Sequence, residues 1–206
     1  MVRIAITGGI ACGKSLVGSF LREEGVHVWD ADELAHELME PGRPLFDPVV
    51  RAFGEDILDA DGRINRRRLG AIVFANAEKL RQLNAITHPT VRAAWEARLR
   101  ELEMGLGSGG PAATPADCAA VIVPLLFEAG MEQGWNAVVC VTDTEERQLE
   151  RLRARGLSDE EAKRRIAVQM PLWRKSELAD YVIVNAGSRE ILREQTRRVL
   201  RHVLKT

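Results

Sequence analysis

The stretch Gly8-Gly9-Ile10-Ala11-Cys12-Gly13-Lys14-Ser15 decides the fold of this chain. It matches the pattern G-x-x-x-x-G-K-[ST], and it lies between an apolar, strand-like run, Val2 to Thr7, and a helical stretch, Leu16 to Glu24. Glycines allow the backbone to curl, so that successive N–H groups point into one concavity at the positive end of a helix dipole. The motif therefore predicts a phosphate-binding loop.

Two side chains of this motif have chemical roles toward a nucleoside triphosphate. Lys14 would place an ammonium group between the β- and γ-phosphates of ATP, and the Ser15 hydroxyl can ligate Mg²⁺. One alternative is a glycine-rich turn that only connects a strand to a helix. The other is a Rossmann dinucleotide site, because Asp32 lies near the distance of a ribose-binding carboxylate. Ile10, however, occupies the position where that motif needs its second glycine.

Several short β-branched runs alternate with amphipathic helical stretches, which predicts an α/β fold with a parallel sheet flanked by helices. The apolar character of these runs is typical of strands buried on both faces. The predicted strands are Val2 to Thr7, Val26 to Trp29, Ala120 to Pro124, Ala137 to Val141 and Tyr181 to Val184. A last helix starts at Ser188, with an apolar side of Ile191, Leu192, Val199, Leu200, Val203 and Leu204.

The pattern divides one domain, residues 1–206, into several regions. The expected core comprises residues 1–31, 118–149 and 173–206. Strand signals disappear from residue 32 to residue 104, where helical spacing predicts a helical insertion. Residues 105–117 are rich in glycine, proline and small side chains, which predicts a flexible loop. Residues 150–172 would form a lid.

Composition excludes several classes of protein. The formal net charge of -1 removes the overall positive charge by which nucleic-acid-binding proteins neutralise phosphates, so we expect no nucleic-acid partner. No apolar run is long enough to span a bilayer, and the first residues do not form a signal peptide, so we expect a cytoplasmic protein without a membrane partner. The three cysteines form no CxxC pair and are expected to be reduced thiols.

A second group of polar residues, Asp30-Ala31-Asp32, follows the second predicted strand. Ligands of open α/β sheets bind at this edge, where a carboxylate can meet a substrate hydroxyl. Asp32 would be the general base, or the group that orients the attacking oxygen toward the γ-phosphate. The alternative for either aspartate is a helix cap.

A third feature is the arginine-rich segment that contains Arg147, Arg151, Arg153 and Arg155. Ser158 and Glu161 have the spacing of a capping box, so the segment reads as a helix, a turn at Gly156 and a second helix. A lid of this kind could bring arginine to the transferring phosphoryl group and exclude water. For any single arginine, the alternative is a solvated charged face.

Taken together, these blocks resemble the dephospho-coenzyme A kinase family. The resemblance extends over nearly the whole chain, through TGGIACGKS, VHVWDADELAHELMEPG, FANAEKLRQLNAITHP, PLLFEAG, QLERLRARGLS, AVQM and ADYVIVNAGS. It implies a P-loop nucleoside triphosphate hydrolase-like fold with a five-stranded parallel sheet, in which residues 32–104 form a helical substrate-binding region. It also implies transfer of the γ-phosphate of ATP to the ribose 3′-hydroxyl of dephospho-coenzyme A, the last step of coenzyme A synthesis. A kinase of another nucleoside or small alcohol, and a P-loop hydrolase or switch protein, are the alternatives.

The resemblance also assigns roles to individual residues. It makes Ala11 to Leu16 the core of the ATP loop and Asp32 the catalytic carboxylate. It puts His88 and Arg92 near the substrate, Arg155 in the lid and Asn185 near the adenine end of ATP. The ATP-binding set is then Gly8, Gly9, Ala11, Cys12, Gly13, Lys14, Ser15, Leu16 and Asn185, with Lys14, Asp32 and Arg155 as the catalytic set.

The chain departs from the usual family pattern at three places, one of which is a lid that is one residue shorter at Gly156. Ala11 and Cys12 replace a glycine and a serine, and Ile122 stands where many members have an aspartate that could bind metal. A thiol at Cys12, near a helix N-terminus and Lys14, is expected to ionise and to react with alkylating reagents. The alternative is a thiol that is turned inward and inert.

Overall fold

The computed structural model describes residues 1–105 and 113–205. The chain forms two compact units, of which one comprises Met1–Asp30 with Glu101–Thr206 and the other Ala31–Arg100. The elements in chain order are β1 (Val2–Gly8), α1 (Lys14–Glu23), β2 (His27–Asp30), α2 (Ala31–Leu38), α3 (Phe46–Phe53), α4 (Arg66–Ala75), α5 (Ala77–Gly105), β3 (Cys118–Ile122), β4 (Ala137–Thr142), α6 (Glu145–Ala154), α7 (Asp159–Ala167), α8 (Leu172–Leu178), β5 (Tyr181–Val184) and α9 (Arg189–Val203), with 3-10 helices at Glu55–Ile57 and Pro115–Asp117. No helix in these ranges is both long and apolar enough to cross a membrane.

The first unit contains a parallel sheet, as the alternating pattern predicts. Within the described residues its five strands are ordered β2-β3-β1-β4-β5, and every pair is parallel. All five residues of β3, and all but the last of β4, are buried, because helices cover both faces of a parallel sheet. The predicted α/β fold is confirmed, and the strand limits differ from the prediction by two residues or fewer.

Helices α1 and α9 pack against this sheet and against each other. Phe20 of α1 and Leu192 of α9 are each 1% exposed and belong to one apolar cluster with the strands. Two ion pairs, Arg193 with Glu23 and Arg197 with Glu24, join the helices at their solvent side. The prediction for Ile191 is wrong, because this side chain is 55% exposed. It lies in the first turn of α9, beside Gly187.

The Ala31–Arg100 unit is helical and has its own apolar core. Val49, Ile57, Leu69 and Val73 are buried together, and Leu80, Leu83 and Ile86 of α5 pack against them. Asn65 caps α4 by accepting a hydrogen bond from the backbone N–H of Arg68 at 3.0 Å. The apolar spacing predicted along this segment therefore corresponds to real buried helix faces.

The predicted flexible loop at residues 105–117 is wrong at its two ends. Gly105 is the last residue of α5, and Pro115–Asp117 form a 3-10 helix. A capping box stabilises this short helix, because the Thr114 N–H donates to Asp117 Oδ2 at 2.9 Å. Residues 106–112, which form the middle of the predicted loop, lie outside the described residues.

Helices α6 and α7 form the predicted helix-turn-helix. Gly156, at φ 85°, turns the chain after α6. Ser158 then caps α7, and Glu161 returns the bond by accepting from the Ser158 N–H at 3.1 Å. The capping box at Ser158 is confirmed.

Gly8 provides a test of how closely the strands approach at the end of β1. A Cβ at this residue would lie 2.0 Å from the backbone carbonyl oxygen of Val141, and φ is 135°. We expect Gly8→Ala to lower the free energy of unfolding by more than about 3 kcal/mol, because the backbone of β4 cannot move aside. Chemical denaturation measures the loss.

Gly130→Ala is the matched control. Gly130 also has a positive φ, of 62°, but a Cβ there would meet no atom within 4 Å. Gly130→Ala should lower the free energy of unfolding by only about 1–2 kcal/mol, which is the cost of a left-handed backbone at a residue with a side chain. Equal losses for the two variants would contradict the steric explanation for Gly8.

Candidate active site

The phosphate-binding motif forms the connection between β1 and α1. β1 is the central strand of the sheet, with β3 on one side and β4 on the other. The chain leaves β1 toward β2, beyond β3, so the loop lies at the carboxyl edge where connections diverge. Ligands of parallel α/β sheets bind at such an edge.

The N-terminus of α1 has the features of an anion site. Gly13, the residue before α1, has φ 96°, and no side chain caps this end of the helix. The first backbone N–H groups of a helix have no acceptor within the helix, and they concentrate positive potential. Ser15, in this first turn, is exposed. A phosphate group can therefore serve as the cap.

Lys14 lies inside the curve of the loop rather than in solvent. Its Nζ donates to the carbonyl oxygens of Gly8 at 3.1 Å and of Gly9 at 2.8 Å. The residue is only 9% exposed. The ammonium group is thus directed by two backbone carbonyls, and its charge is less screened than that of a surface lysine.

Three further carbonyl oxygens of the loop accept hydrogen bonds from distant side chains. Gln148 Nε2 donates to Ile10 O at 2.7 Å, and Arg151 Nη1 donates to Ala11 O at 2.7 Å. Asn185 Nδ2 donates to Cys12 O at 2.9 Å. The carbonyl oxygens of this loop therefore point toward side chains of the surrounding elements.

Asn185 constrains the neighbouring glycine as well. The residue is 8% exposed, and a Cβ at Gly13 would lie 2.4 Å from its Nδ2. The side chain predicted to lie near the adenine of ATP is thus in direct contact with the phosphate loop. The backbone N–H of Asn185 donates to Thr142 O at 2.8 Å, which joins the end of β5 to β4.

An ion pair that the sequence analysis missed orients Arg151. The Arg151 Nη2 atom is 2.6 Å from Oδ2 of Asp143, whose side chain is completely buried. The second carboxylate oxygen of Asp143 accepts from the Thr144 N–H at 2.8 Å. A carboxylate at the end of a buried strand was a signal that could have identified Asp143, because a buried charge requires a partner.

Ala11 adopts a backbone conformation that favours glycine. Its φ is 59°, the only positive value at a residue other than glycine in the described ranges. This conformation costs about 1–2 kcal/mol for a residue with a side chain. The Ala11 methyl group packs beside Leu152 of α6 and Ala162 of α7, which offsets part of that cost.

The expectation of a reactive thiolate at Cys12 is wrong. The thiol is completely buried. Burial raises the pKa of Cys12 to about 11, because desolvation of the thiolate outweighs the attraction of Lys14. Cys118 and Cys140 are buried too, and burial raises the pKa of each of these thiols.

A magnesium ion would find oxygen ligands at Ser15. The hydroxyl lies at the phosphate-binding end of α1, and Mg²⁺ prefers a few protein oxygens together with phosphate oxygens and water. Ile122 is 1% exposed in the core and supplies no ligand. Asp30 is paired in register with Ile122, so a carboxylate does end the neighbouring strand. No cluster of three or more acidic, histidine or cysteine ligands occurs in the part of the chain that the structure describes.

The remaining predicted residues belong to different parts of the chain. Asp32 is exposed in the first turn of α2, one residue after α2 begins. His88 and Arg92 are four positions apart on α5 and therefore share one helix face. These three residues lie in the Ala31–Arg100 unit. Arg155 follows α6 in the other unit and is exposed.

The electrostatics of His88 and Arg92 differ. Burial lowers the pKa of His88, because the charged imidazolium loses hydration, so this side chain is neutral at pH 7. Arg92 pairs with Glu96 at 2.8 Å across one helical turn, and both side chains are more than a third exposed. A ligand phosphate could compete for Arg92, since exposed pairs of this kind are weak.

Comparison with known proteins identifies close relatives. The family model described as CoaE, dephospho-CoA kinase, matches residues 2–190. A dephospho-CoA kinase of Carboxydothermus hydrogenoformans is 46% identical over 198 residues, which are 96% of this chain and 92% of the relative.

Two solved structures are similar along their whole length. TT1252 from Thermus thermophilus has a TM-score of 0.74 and 34% identity, and the match covers 98% of this chain and 97% of that one. A dephospho-CoA kinase from Campylobacter jejuni has a TM-score of 0.66 and 27% identity, with the same coverage of 98% and 97%.

The burial of Cys12 predicts that the native protein resists alkylation. With a pKa of about 11, only about one Cys12 thiol in a thousand is ionised at pH 8. We expect iodoacetamide to leave both activity and Cys12 unchanged, as measured by peptide mapping. Protein unfolded in urea is the control, and there all three cysteines should be labelled. Labelling of native Cys12 that ATP prevents would show that the thiol faces the ligand instead.

Proposed function

Because this chain belongs to the dephospho-CoA kinase family, we propose that it transfers the γ-phosphoryl group of ATP to the ribose 3′-hydroxyl of dephospho-coenzyme A. The observation on which the proposal depends is the loop from Gly8 to Ser15. Lys14 is directed by two of its carbonyls, and an uncapped helix N-terminus follows. This arrangement favours a nucleoside triphosphate over an uncharged ligand.

ATP would bind with its β- and γ-phosphates on the loop. The N–H groups at the start of α1 would donate hydrogen bonds to the phosphate oxygens, and Lys14 would stabilise the charge that develops during transfer. Ser15 would hold Mg²⁺ together with the phosphates, and the ion would neutralise charge between the β- and γ-phosphates. Arg155, exposed after α6, is the candidate for a lid arginine that reaches the transferred group.

Asp32 is the proposed base for the acceptor. An exposed carboxylate can accept the proton of the ribose hydroxyl and orient its oxygen toward phosphorus. Its position in the first turn of α2 also stabilises that helix through the dipole, so helix stability and catalysis must be separated by experiment. Neutral His88 and charged Arg92, on one face of α5, are the proposed contacts for the rest of the acceptor.

The direct test measures ADP release and its dependence on the acceptor. We expect ADP formation in the presence of ATP, Mg²⁺ and dephospho-coenzyme A, with a phosphorylated product of matching mass. Lys14→Met should lower kcat at least about 100-fold, because the variant removes charge from the transition state and keeps the length of the side chain. Its melting temperature shows whether loss of the two carbonyl contacts has damaged the fold. ADP release without any acceptor would identify a hydrolase instead.

The role of Asp32 is tested with a matched pair of variants. Asp32→Asn should lower kcat about 10²- to 10⁴-fold with little change in the KM for ATP, because an amide cannot accept the proton. Asp47→Asn is the control, since Asp47 is also exposed in the first turn of a helix of the same unit. It should lose only a little stability and no activity. A change confined to the acceptor KM of Asp32→Asn would make Asp32 a binding residue.

A further inference from the structure

Two glutamine side chains form hydrogen bonds with the backbone of Ile10, one with its carbonyl oxygen and the other with its N–H. Gln148 Nε2 donates to the Ile10 carbonyl at 2.7 Å. Gln169 Oε1 accepts from the Ile10 N–H at 2.8 Å. Gln148 belongs to α6, and Gln169 follows the end of α7. The first helix of the pair α6–α7 and the segment that follows the second helix are therefore both hydrogen-bonded to the same residue of the phosphate loop.

The orientation of the Gln169 amide follows from its partner. A backbone N–H can only donate, so the atom that faces it must be the carbonyl oxygen of the glutamine. The same reasoning directs Nε2 of Gln148 toward the Ile10 carbonyl. Neither amide can be reversed without loss of a hydrogen bond.

The backbone beside Gln169 is anchored independently of the loop. The N–H of Met170 donates to Glu128 Oε1 at 2.8 Å. The same oxygen pairs with Nζ of Lys175, a completely buried lysine, at 2.8 Å, and this Nζ also donates to Pro124 O at 2.8 Å. The connection between α7 and α8 is thus fixed to the segment after β3, and Gln169 extends from an ordered backbone.

The peptide group that Gln169 contacts is the one that directs Lys14. The Ile10 N–H and the Gly9 carbonyl belong to the same planar peptide group and point in opposite directions. Gln169 accepts from the N–H, and Lys14 Nζ donates to the carbonyl at 2.8 Å. A rotation of this peptide would move the oxygen that Lys14 contacts.

We propose that Gln169 is a positioning residue for phosphoryl transfer, which fixes the Gly9–Ile10 peptide group and thereby the place of Lys14 Nζ. The proposal rests on the proposed function, because it concerns the lysine of the same phosphate loop. Gln148 holds the following peptide group through the Ile10 carbonyl, so the two glutamines fix consecutive peptide groups. Gln169 acts through Lys14 and through no contact of its own with the reacting atoms.

Gln169→Met removes the acceptor and keeps an unbranched side chain of similar length. In this variant the hydrogen-exchange rate of the Ile10 backbone amide should rise about tenfold, because the amide loses its hydrogen bond. NMR on the full chain without nucleotide measures this rate. The kcat of the variant should fall about ten- to a hundredfold, since small displacements of a catalytic group are costly, while the KM for ATP changes much less. The melting temperature should stay close to that of the wild type, because Gln169 is only half-buried.

Two further variants make the outcome decisive. Gln133→Met alters an exposed glutamine outside these contacts and should change neither Ile10 exchange nor kcat. Gln169→Glu keeps an acceptor oxygen at the same reach, so Ile10 exchange should stay slow. Ile10 exchange that is equally fast in the Glu and Met variants, or an unchanged kcat in Gln169→Met, would overturn the proposal. If Lys14→Met also kept full activity, the phosphate-loop function itself would fail, which is a separate result.

Discussion

The site depends on one constraint, which is that five consecutive carbonyl oxygens of the phosphate loop accept hydrogen bonds from side chains. Lys14 contacts the carbonyls of Gly8 and Gly9, and the next three carbonyls accept from Gln148, Arg151 and Asn185. Peptide groups are planar, so the N–H on the opposite side of each peptide must point away from the donor that holds the carbonyl. The loop is therefore arranged before any anion binds, and binding needs little reorganisation.

This arrangement connects the loop to elements that lie far away in the sequence. The three distant donors come from α6 and from the residue after β5, and the acceptor for the Ile10 N–H follows the end of α7. Ile10 and Ala11 also pack against apolar side chains of α6 and α7. A change in the position of this helix pair would alter the phosphate loop directly, because the two share both hydrogen bonds and an apolar cluster.

Burial disfavours charge around the loop, and the hydrogen-bond partners of a charged group can offset this cost. Desolvation keeps the Cys12 thiol protonated although Lys14 is nearby. Lys14 itself is nearly buried, but two carbonyls solvate its ammonium group. The buried side chains of Lys175 and Asp143 likewise each have an ionic partner and a backbone contact. The sign of a neighbouring charge alone does not predict the protonation state of a side chain.

The sequence by itself determined the local features of this protein. The phosphate-loop motif, the five strands, the capping box at Ser158 and the helical stretch after β2 all depend on residues that are close together in the chain, so local pattern predicts them. Only the tertiary structure decided the inward direction of the Cys12 thiol, the exposure of Ile191 and the contacts of Gln148, Gln169 and Asp143. Gln148 and Gln169 lie 138 and 159 residues from Ile10 in the chain, and no periodicity encodes such a distance. Their hydrogen bonds exist because the parallel sheet brings the ends of distant strands to one edge, and a polar side chain there finds a partner only after the chain has folded.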